Sequence, residues 1–257
     1  MLVFCIQLTD RSVHQNTKTT PRLIGLNYGG MFMLSDLELM ENYVNMLFKH
    51  DTENRVTVVN EPPYDVAPRI FIGGTNLGSG VRYSNKLDAS LVGKLEQVIG
   101  TNPDAYLGEV INVLSIDSKL NNLWIGPAYV FSVVRGKAHT QAIQVTHENK
   151  ELLKPYFPYT FEDFEHKQPC FVIVEDNIPV SICCSARSTT KVDEASIFTH
   201  EDYRGRGYGI DVTNVWATEV QKQGRIALYS TSWDNFASQS LARRLELLRY
   251  GTDIHIS

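Results

Sequence analysis

Apolar residues in the second half of the chain occur either in short continuous runs or at positions three and four residues apart. The runs predict strands, and the spaced positions predict helices. In chain order, the pattern predicts strands at 142–145, 171–174, 180–185, 195–199 and 226–231, and helices at 147–154, 160–166, 209–223 and from Asn235 onward. The second half is therefore predicted to have a mixed α/β (α+β) fold.

Two of these helices have a clear apolar stripe, which predicts the face that each buries. The stripes consist of Val212, Val215, Trp216 and Val220 in the helix at 209–223, and Leu241, Leu245 and Leu248 in the last helix. Between two of the strands, Asp176-Asn177 predicts a tight hairpin turn, because both residue types tolerate a positive φ.

The first half has fewer distinct patterns. Ser35 and Glu38 have the spacing of a helix capping box, and an apolar stripe runs from Leu37 to Phe48. Further strands are predicted at 1–6, 55–59, 69–72 and 124–134, and a second helix is predicted from near Asn85, with Leu87, Leu91, Leu95 and Val98 on one face.

A glycine-rich stretch at 73–80 follows one of these strands. It lacks the Gly-Lys-Ser/Thr ending of a phosphate-binding P-loop, so a plain flexible loop is the favoured interpretation. We expect an α+β domain over 1–137, either a divergent copy of the second half or a cap over its site. The second domain is expected over 138–257.

The composition of the chain excludes several classes of function. The chain has 257 residues, and 24 basic against 29 acidic side chains make the formal net charge −5. This balance argues against a duplex nucleic-acid binder, and no apolar run is long enough to span a membrane. The cysteines are Cys5, Cys170, Cys183 and Cys184. Their spacing predicts neither a disulfide framework nor a metal site, and it suggests a cytoplasmic protein.

The most informative segment is Arg204-Gly205-Arg206-Gly207-Tyr208-Gly209, between a predicted strand and a predicted helix. Glycine at alternating positions permits backbone conformations in which successive N–H groups converge. The helix that follows adds its unpaired N–H groups and the positive end of its dipole. Such a loop is suited to bind a pyrophosphate; the alternative is a tight turn with solvated arginines.

The run from Ala195 to Gly209 resembles motif A of the GNAT superfamily, the acetyl-CoA-dependent N-acyltransferases. Arg204, Gly207 and Gly209 fill the family's Arg/Gln-x-x-Gly-x-Gly/Ala pattern. The strand at 228–232 and the following Asn235 resemble motif B. The similarity covers about half the chain, from Ala138 to Ser257, and implies a mixed, mostly antiparallel sheet flanked by helices. A bacterial group with poorly assigned substrates is also similar.

The resemblance implies a binding site for acetyl-CoA as the acyl donor, with no metal. The backbone of Ile197, Phe198 and Thr199 would hold the pantetheine arm. The backbone N–H groups of Arg204, Gly205, Arg206, Gly207, Tyr208 and Gly209 would hold the pyrophosphate. Asn235 would contact the donor near the splayed strands, with Ser238 one turn later. Asn235 equally suits a helix N-cap.

Acetyl transfer to an amine needs a group that accepts a proton. Asp193 and Glu194 are the candidate bases at the start of the strand, and alternation lets only one of them face the site. His200 and Glu201 are weaker candidates. Cys183 and Cys184 are alternative nucleophiles, but their apolar run favours a buried structural role.

The residue that would protonate the leaving thiolate differs from the family pattern, because Ala242 occupies the position where many members carry a tyrosine. Tyr229, Ser230 and Ser232 are the candidate substitutes on or beside the preceding strand. Arg187, Trp216 and Trp233 are further candidates for contact with the substrate. Arg187 is the best of them and suggests an anionic acceptor. Trp216 is expected in the core, and Trp233 is a weaker candidate.

The sequence thus predicts an enzyme that moves an acetyl group from acetyl-CoA to a small-molecule amine by direct attack. The alternatives are an acyl-CoA sensor without turnover and an acetyltransferase for a protein amine. Neither a nucleic-acid nor a membrane partner is expected. Homodimers are common in the family, so the resemblance also suggests a homodimer.

Overall fold

The structure is a computed structural model that describes residues 22–26, 30–101, 106–132 and 141–257. The strand predicted at 1–6, with Cys5, lies outside these residues. The predicted domain boundary between 137 and 138 falls in the third gap.

The described residues form thirteen strands, six α-helices and three short 3-10 turns. The strands are β1 Arg22–Leu26, β2 Gly30–Leu34, β3 Phe48–His50, β4 Val56–Val59, β5 Ile70–Thr75, β6 Gly78–Tyr83, β7 Leu123–Val130, β8 Ile143–Gln144, β9 Cys170–Glu175, β10 Ile178–Ser188, β11 Val192–Thr199, β12 Ile226–Ser230 and β13 Leu248–Ile256. The helices are α1 Asp36–Leu47, α2 Ala89–Thr101, α3 Tyr106–Asp117, α4 Pro158–Glu162, α5 Tyr208–Lys222 and α6 Phe236–Arg244.

Nine strands form one sheet in the order β6-β5-β13-β7-β12-β11-β10-β9-β8. Every neighbouring pair is antiparallel except β11 and β12, which are parallel. This is the expected mixed, mostly antiparallel sheet flanked by helices. Strands from both halves of the sequence share it, because β13 inserts between β5 and β7. The division into two domains stays a prediction.

The two faces of the sheet carry different helices. On one face, α1 buries Leu39, Met40 and Tyr43 against the sheet. The predicted capping box starts this helix, since the Ser35 hydroxyl accepts from the Glu38 N–H and the Glu38 carboxylate accepts from the Ser35 N–H. On the other face, α5 and α6 cover β10 to β12, while α2 and α3 cover β5 and β13. The candidate site lies where the α5–α6 layer meets the sheet.

Two turns test the predictions from glycine and asparagine. The β9–β10 hairpin turns at Asp176 and Asn177, whose φ values of 49° and 65° confirm the predicted positive-φ turn. The flexible loop predicted at 73–80 is wrong, because β5 and β6 pair from Ile70↔Tyr83 to Thr75↔Gly78. Pairing of Gly73 and Gly74 with β13 joins this hairpin to the large sheet.

Other elements differ from the predictions in extent. Helix α2 begins at Ala89 rather than near Asn85, and α3 and β13 were missed. The helix predicted at 147–154 is a 3-10 turn at Lys150–Leu153, and the helix predicted at 160–166 is divided between α4 and a 3-10 turn at Phe164–Lys167. Leu248 starts β13 and is 38% exposed, so its predicted burial in a helix is wrong. The stripe of α5 is confirmed, with Val212, Trp216 and Val220 fully buried.

Candidate active site

The site begins at a gap in the large sheet. Strands β11 and β12 pair only from Val192↔Ile226 to Glu194↔Leu228. Both strands then continue, to Thr199 and Ser230, without further pairing to each other. The opposite edge of β11 stays paired with β10 as far as Thr199. The edge of residues 195–199 that faces the gap is therefore open to an extended ligand.

The glycine-rich loop lies beyond the open end of β11. Gly205 and Gly207 have φ values of 79° and 92°, in the left-handed region that favours glycine. Gly207 is also the N-cap of α5, which runs for 15 residues. The free N–H groups in the first turn of α5 therefore start beside the loop, as an anion site requires.

A cleft of about 470 Å³ joins the gap, the loop and α6. Of the predicted donor-binding residues, the structure brings together Ile197, Phe198, Thr199, Arg204, Gly205, Gly207, Tyr208, Gly209, Asn235 and Ser238 along its walls. Arg206 does not line the cleft. Its guanidinium donates to the Asp202 carbonyl at 2.9 Å and lies 4.8 Å from the centre of the Tyr203 ring.

The α6 side of the cleft is fixed by short-range hydrogen bonds. Asn235 caps α6, because its Oδ1 accepts from the Ser238 N–H at 3.0 Å. The Ser238 hydroxyl lies 2.6 Å from the Tyr229 hydroxyl, which also lines the cleft. Burial raises the pKa of Tyr229 to about 12. Tyr229 therefore keeps its proton at neutral pH and can donate a hydrogen bond.

Sequence reasoning missed a cation in this cleft. Arg244, in the last turn of α6, lines the same walls, and no ion pair holds it within the described residues. Arg204 is the other arginine on the walls, and it is exposed beside Glu201. The adjacent pair Arg243-Arg244 at the end of an amphipathic helix was the available signal. Arg244 adds positive charge where an anionic donor would lie.

Asp193 and Glu194 point to opposite faces of the sheet. Asp193 is fully buried on the α5 side, where it accepts from the Ser185 hydroxyl at 2.9 Å and from Arg225 at 2.5 Å. The Trp216 indole donates to the same hydroxyl of Ser185. Burial raises the pKa of the Asp193 carboxyl from 3.8 to about 6, although Arg225 lowers it. Asp193 does not line the cleft.

Glu194 lies on the α1 side, at the base of the gap. Its carboxylate accepts from Arg187 at 2.7 Å and from the Ser230 hydroxyl at 2.6 Å. All three residues line a second cavity of about 270 Å³, which we call the α1-side pocket. Tyr229 and Ser230 are consecutive in β12, so the cleft and this pocket lie on opposite faces of the sheet, beside the same gap.

The remaining candidates are engaged elsewhere. Arg187 is paired with Glu61 as well as Glu194, so it offers no free charge to an anionic acceptor. Cys183 and Cys184 are buried free thiols. Burial raises the pKa of Cys183 well above its usual value, which disfavours a nucleophilic thiolate.

Other side chains have clear positions too. His200 packs against Phe157 and Phe198, and Glu201 is exposed. Ala242, in α6, is fully buried against the core. Trp233 is 41% exposed and stacks under the Arg249 guanidinium. Ser232 bonds to Asp234 in the turn before α6.

This geometry agrees with the comparison to known families. The sequence model of the GNAT acetyltransferase family matches residues 127–247. The match confirms the resemblance of the C-terminal half of the chain to the GNAT superfamily. No curated protein matches the sequence.

The solved structures found to be similar share little sequence with this chain. A GNAT-family protein from Novosphingobium aromaticivorans is 11% identical, with a TM-score of 0.46, and the match covers 54% of this chain and 66% of that one. The present chain thus spans just under two thirds of that protein. A GCN5-related N-acetyltransferase-like protein from Streptococcus suis is 14% identical, with a TM-score of 0.45 over 74% of this chain and 85% of that chain. A GCN5-related N-acetyltransferase from Kribbella flavida is 14% identical, with a TM-score of 0.44. The match covers 85% of this chain and 93% of that chain.

Among the residues that the structure describes, no helix has both the length and the apolar character to cross a bilayer. Within the same ranges, no group of three or more metal-ligating side chains comes together.

Proposed function

We propose that the protein transfers an acetyl group from acetyl-CoA to the amine of a small molecule. One observation carries the proposal: the gap between β11 and β12 lies between an arginine-lined cleft on one face of the sheet and a carboxylate-bearing pocket on the other. A donor and an acceptor bound on opposite faces would meet at the gap.

The residues of the cleft fit the parts of acetyl-CoA. The pyrophosphate would accept from the backbone N–H groups of the loop and of the first turn of α5. Arg204 and Arg244 would neutralise phosphate charge. The pantetheine amides would bond to the open edge of residues 195–199, as an added strand does. The thioester would then reach the gap.

Glu194 is the base in this proposal. The amine nitrogen attacks the thioester carbonyl carbon, a C–N bond forms, and the C–S bond breaks with its electron pair leaving on sulfur. The attacking nitrogen becomes acidic as it bonds to carbon, and its proton passes to Glu194, directly or through the Ser230 hydroxyl. The carboxylate retains lone pairs beyond those that Arg187 and Ser230 use.

Tyr229 serves the leaving group as a hydrogen-bond donor. A phenol whose pKa is about 12 gives up its proton less readily than a typical thiol, whose pKa is about 8.5. Full protonation of the thiolate therefore falls to solvent. Asp193 fits a structural role better, since its carboxylate is enclosed with Ser185 and Arg225.

An acyl-CoA sensor is the second candidate, favoured by Ala242 in the position where many relatives carry a tyrosine. Binding without turnover would distinguish it. A cytoplasmic location and a homodimer stay predictions from the sequence.

The donor site is tested by thermal unfolding with and without acetyl-CoA. At 100 times its dissociation constant, a ligand stabilises the folded state by about 2.7 kcal/mol, or about 5 °C at this chain length. Gly207→Glu would place a carboxylate in the cleft, so we expect the shift to disappear. Gly224→Glu is the matched control, because Gly224 also has a positive φ (78°) but lies outside the cleft. Equal shifts in both variants would contradict the proposed site.

A further inference from the structure

The α1-side pocket indicates the chemistry of the acceptor. We infer that the acceptor is a small primary monoamine whose remaining body is uncharged and aromatic or compactly apolar. The inference rests on the proposed function and adds the class of substrate. It depends on the walls, the charges and the volume of this pocket.

The walls of the pocket are apolar and partly aromatic. Leu47, Phe48 and Pro68 are buried side chains on the wall that faces the sheet. Trp124 lies further along the pocket, where its indole stacks with the His255 ring at 6.3 Å. Val66 also lines the pocket and is 56% exposed, which places it at the mouth. A flat or compact apolar group would bury its surface against these walls.

Arg187 and Glu194, the charged side chains among the residues that line this pocket, already have counter-charges. Arg187 contacts Glu194 at 2.7 Å and Glu61 at 2.8 Å. His255 Nε2 lies 2.9 Å from Oδ2 of the buried Asp253, in a close contact without a well-formed hydrogen bond. A second ammonium or a carboxylate on the acceptor would therefore lose water and gain no ion pair, which is costly. The one amine that reacts has Glu194 beside it.

The volume of the pocket limits the part of the acceptor that it can enclose. At about 30 Å³ for each water-sized group, the pocket of about 270 Å³ holds roughly nine such groups. This is below the usual range for binding sites of drug-sized ligands. An amine with a single ring and a short chain meets this limit.

Three commercially available amines test the inference on the full chain. Phenethylamine has one ring and one amine, L-phenylalanine adds a carboxylate to it, and putrescine replaces the ring by a second amine. With acetyl-CoA, we expect kcat/KM for phenethylamine to exceed that for each of the others by about a hundredfold. Thiol release measures the rate, and mass spectrometry identifies the N-acetyl product.

A variant at the mouth gives a second readout. Val66→Asp would add a carboxylate near the end of a bound acceptor, so the ratio of putrescine to phenethylamine kcat/KM should rise about tenfold. Ile116→Asp is the control, because Ile116 is 86% exposed on α3 and does not line the pocket. A ratio that rises equally in both variants would overturn the inference.

The other outcomes separate the inference from the proposed function. If the wild type prefers L-phenylalanine or putrescine, the substrate class is wrong while acetyl transfer stands. If acetyl-CoA produces its thermal shift and none of these amines is acetylated, the inference fails and the sensor is favoured. If acetyl-CoA produces no shift and no amine is acetylated, the proposed function itself fails.

Discussion

The adjacent carboxylates Asp193 and Glu194 allow a paired test of the site. Asp193→Asn and Glu194→Gln each remove one charge and keep the side-chain shape. Because the two side chains lie on opposite faces of the sheet, the variants should change different properties. Glu194→Gln should lower kcat/KM for amine acetylation by about 10²- to 10⁴-fold, the usual contribution of a positioned base. Asp193→Asn should keep turnover and change how stability depends on pH.

The magnitude for Asp193 follows from its pKa. Burial raises the pKa from 3.8 to about 6, and each pKa unit corresponds to about 1.36 kcal/mol. The folded protein holds this proton more tightly than the unfolded chain does. The contribution of Asp193 to stability is therefore greatest below pH 3.8, and it falls by about 3 kcal/mol as the pH rises to about 6.

Thermal unfolding of the wild type and of Asp193→Asn at several pH values measures this effect. Since 1 kcal/mol shifts Tm by about 2 °C at this chain length, Tm of the variant minus that of the wild type should increase by about 6 °C between pH 3.8 and pH 6. Other carboxylates cancel in the difference. If the difference in Tm between the variant and the wild type did not change with pH, the raised pKa of Asp193 would be refuted. Loss of turnover in Asp193→Asn, with acetyl-CoA binding intact, would move the base role to Asp193.

Two further substitutions test the donor cleft and the sheet beneath it. Arg244→Ala should weaken acetyl-CoA binding about fivefold in a titration at low salt, and less at high salt because exposed charges are screened. Arg243→Ala is the control, because Arg243 lies outside the cleft and its loss should leave acetyl-CoA binding unchanged. Gly126→Ala should lower Tm by several degrees in thermal unfolding, because its Cβ would lie 1.8 Å from the Thr231 carbonyl oxygen. Gly80→Ala in β6 is the control, because its Cβ would meet no atom within 4 Å and Tm should change little. Equal decreases of Tm in the two variants would contradict the close approach of Gly126 to Thr231.

Features that depend on neighbours in the chain were predictable from the sequence. The capping box at Ser35 spans three residues. The turn at Asp176-Asn177 needs only residues that tolerate a positive φ. The glycines of the loop at 204–209 act in the same way, because their backbone conformation is nearly independent of distant contacts. Because the loop at 204–209 depends on local conformation, its resemblance to the GNAT motif could be recognised from the sequence.

The prediction failed where partners are far apart in sequence. The stretch at 73–80 belongs to the hairpin of β5 and β6, and β5 is held in the large sheet by β13, which lies near the other end of the chain. Arg187 looked available for an anionic acceptor, yet Glu61 occupies it. Pairing between strands and between opposite charges depends on the three-dimensional arrangement, which no local pattern contains.

Asp193 and Glu194 show where the sequence stops and the tertiary structure begins. The two-residue period of a strand requires them to face opposite sides of the sheet, and the sequence alone determined that. Only the packing of α5 on one face and α1 on the other decided which side chain is enclosed with Arg225 and which borders the gap. Packing sets the sidedness because it depends on the whole apolar surface of each helix and sheet, whereas alternation depends on the backbone of one strand.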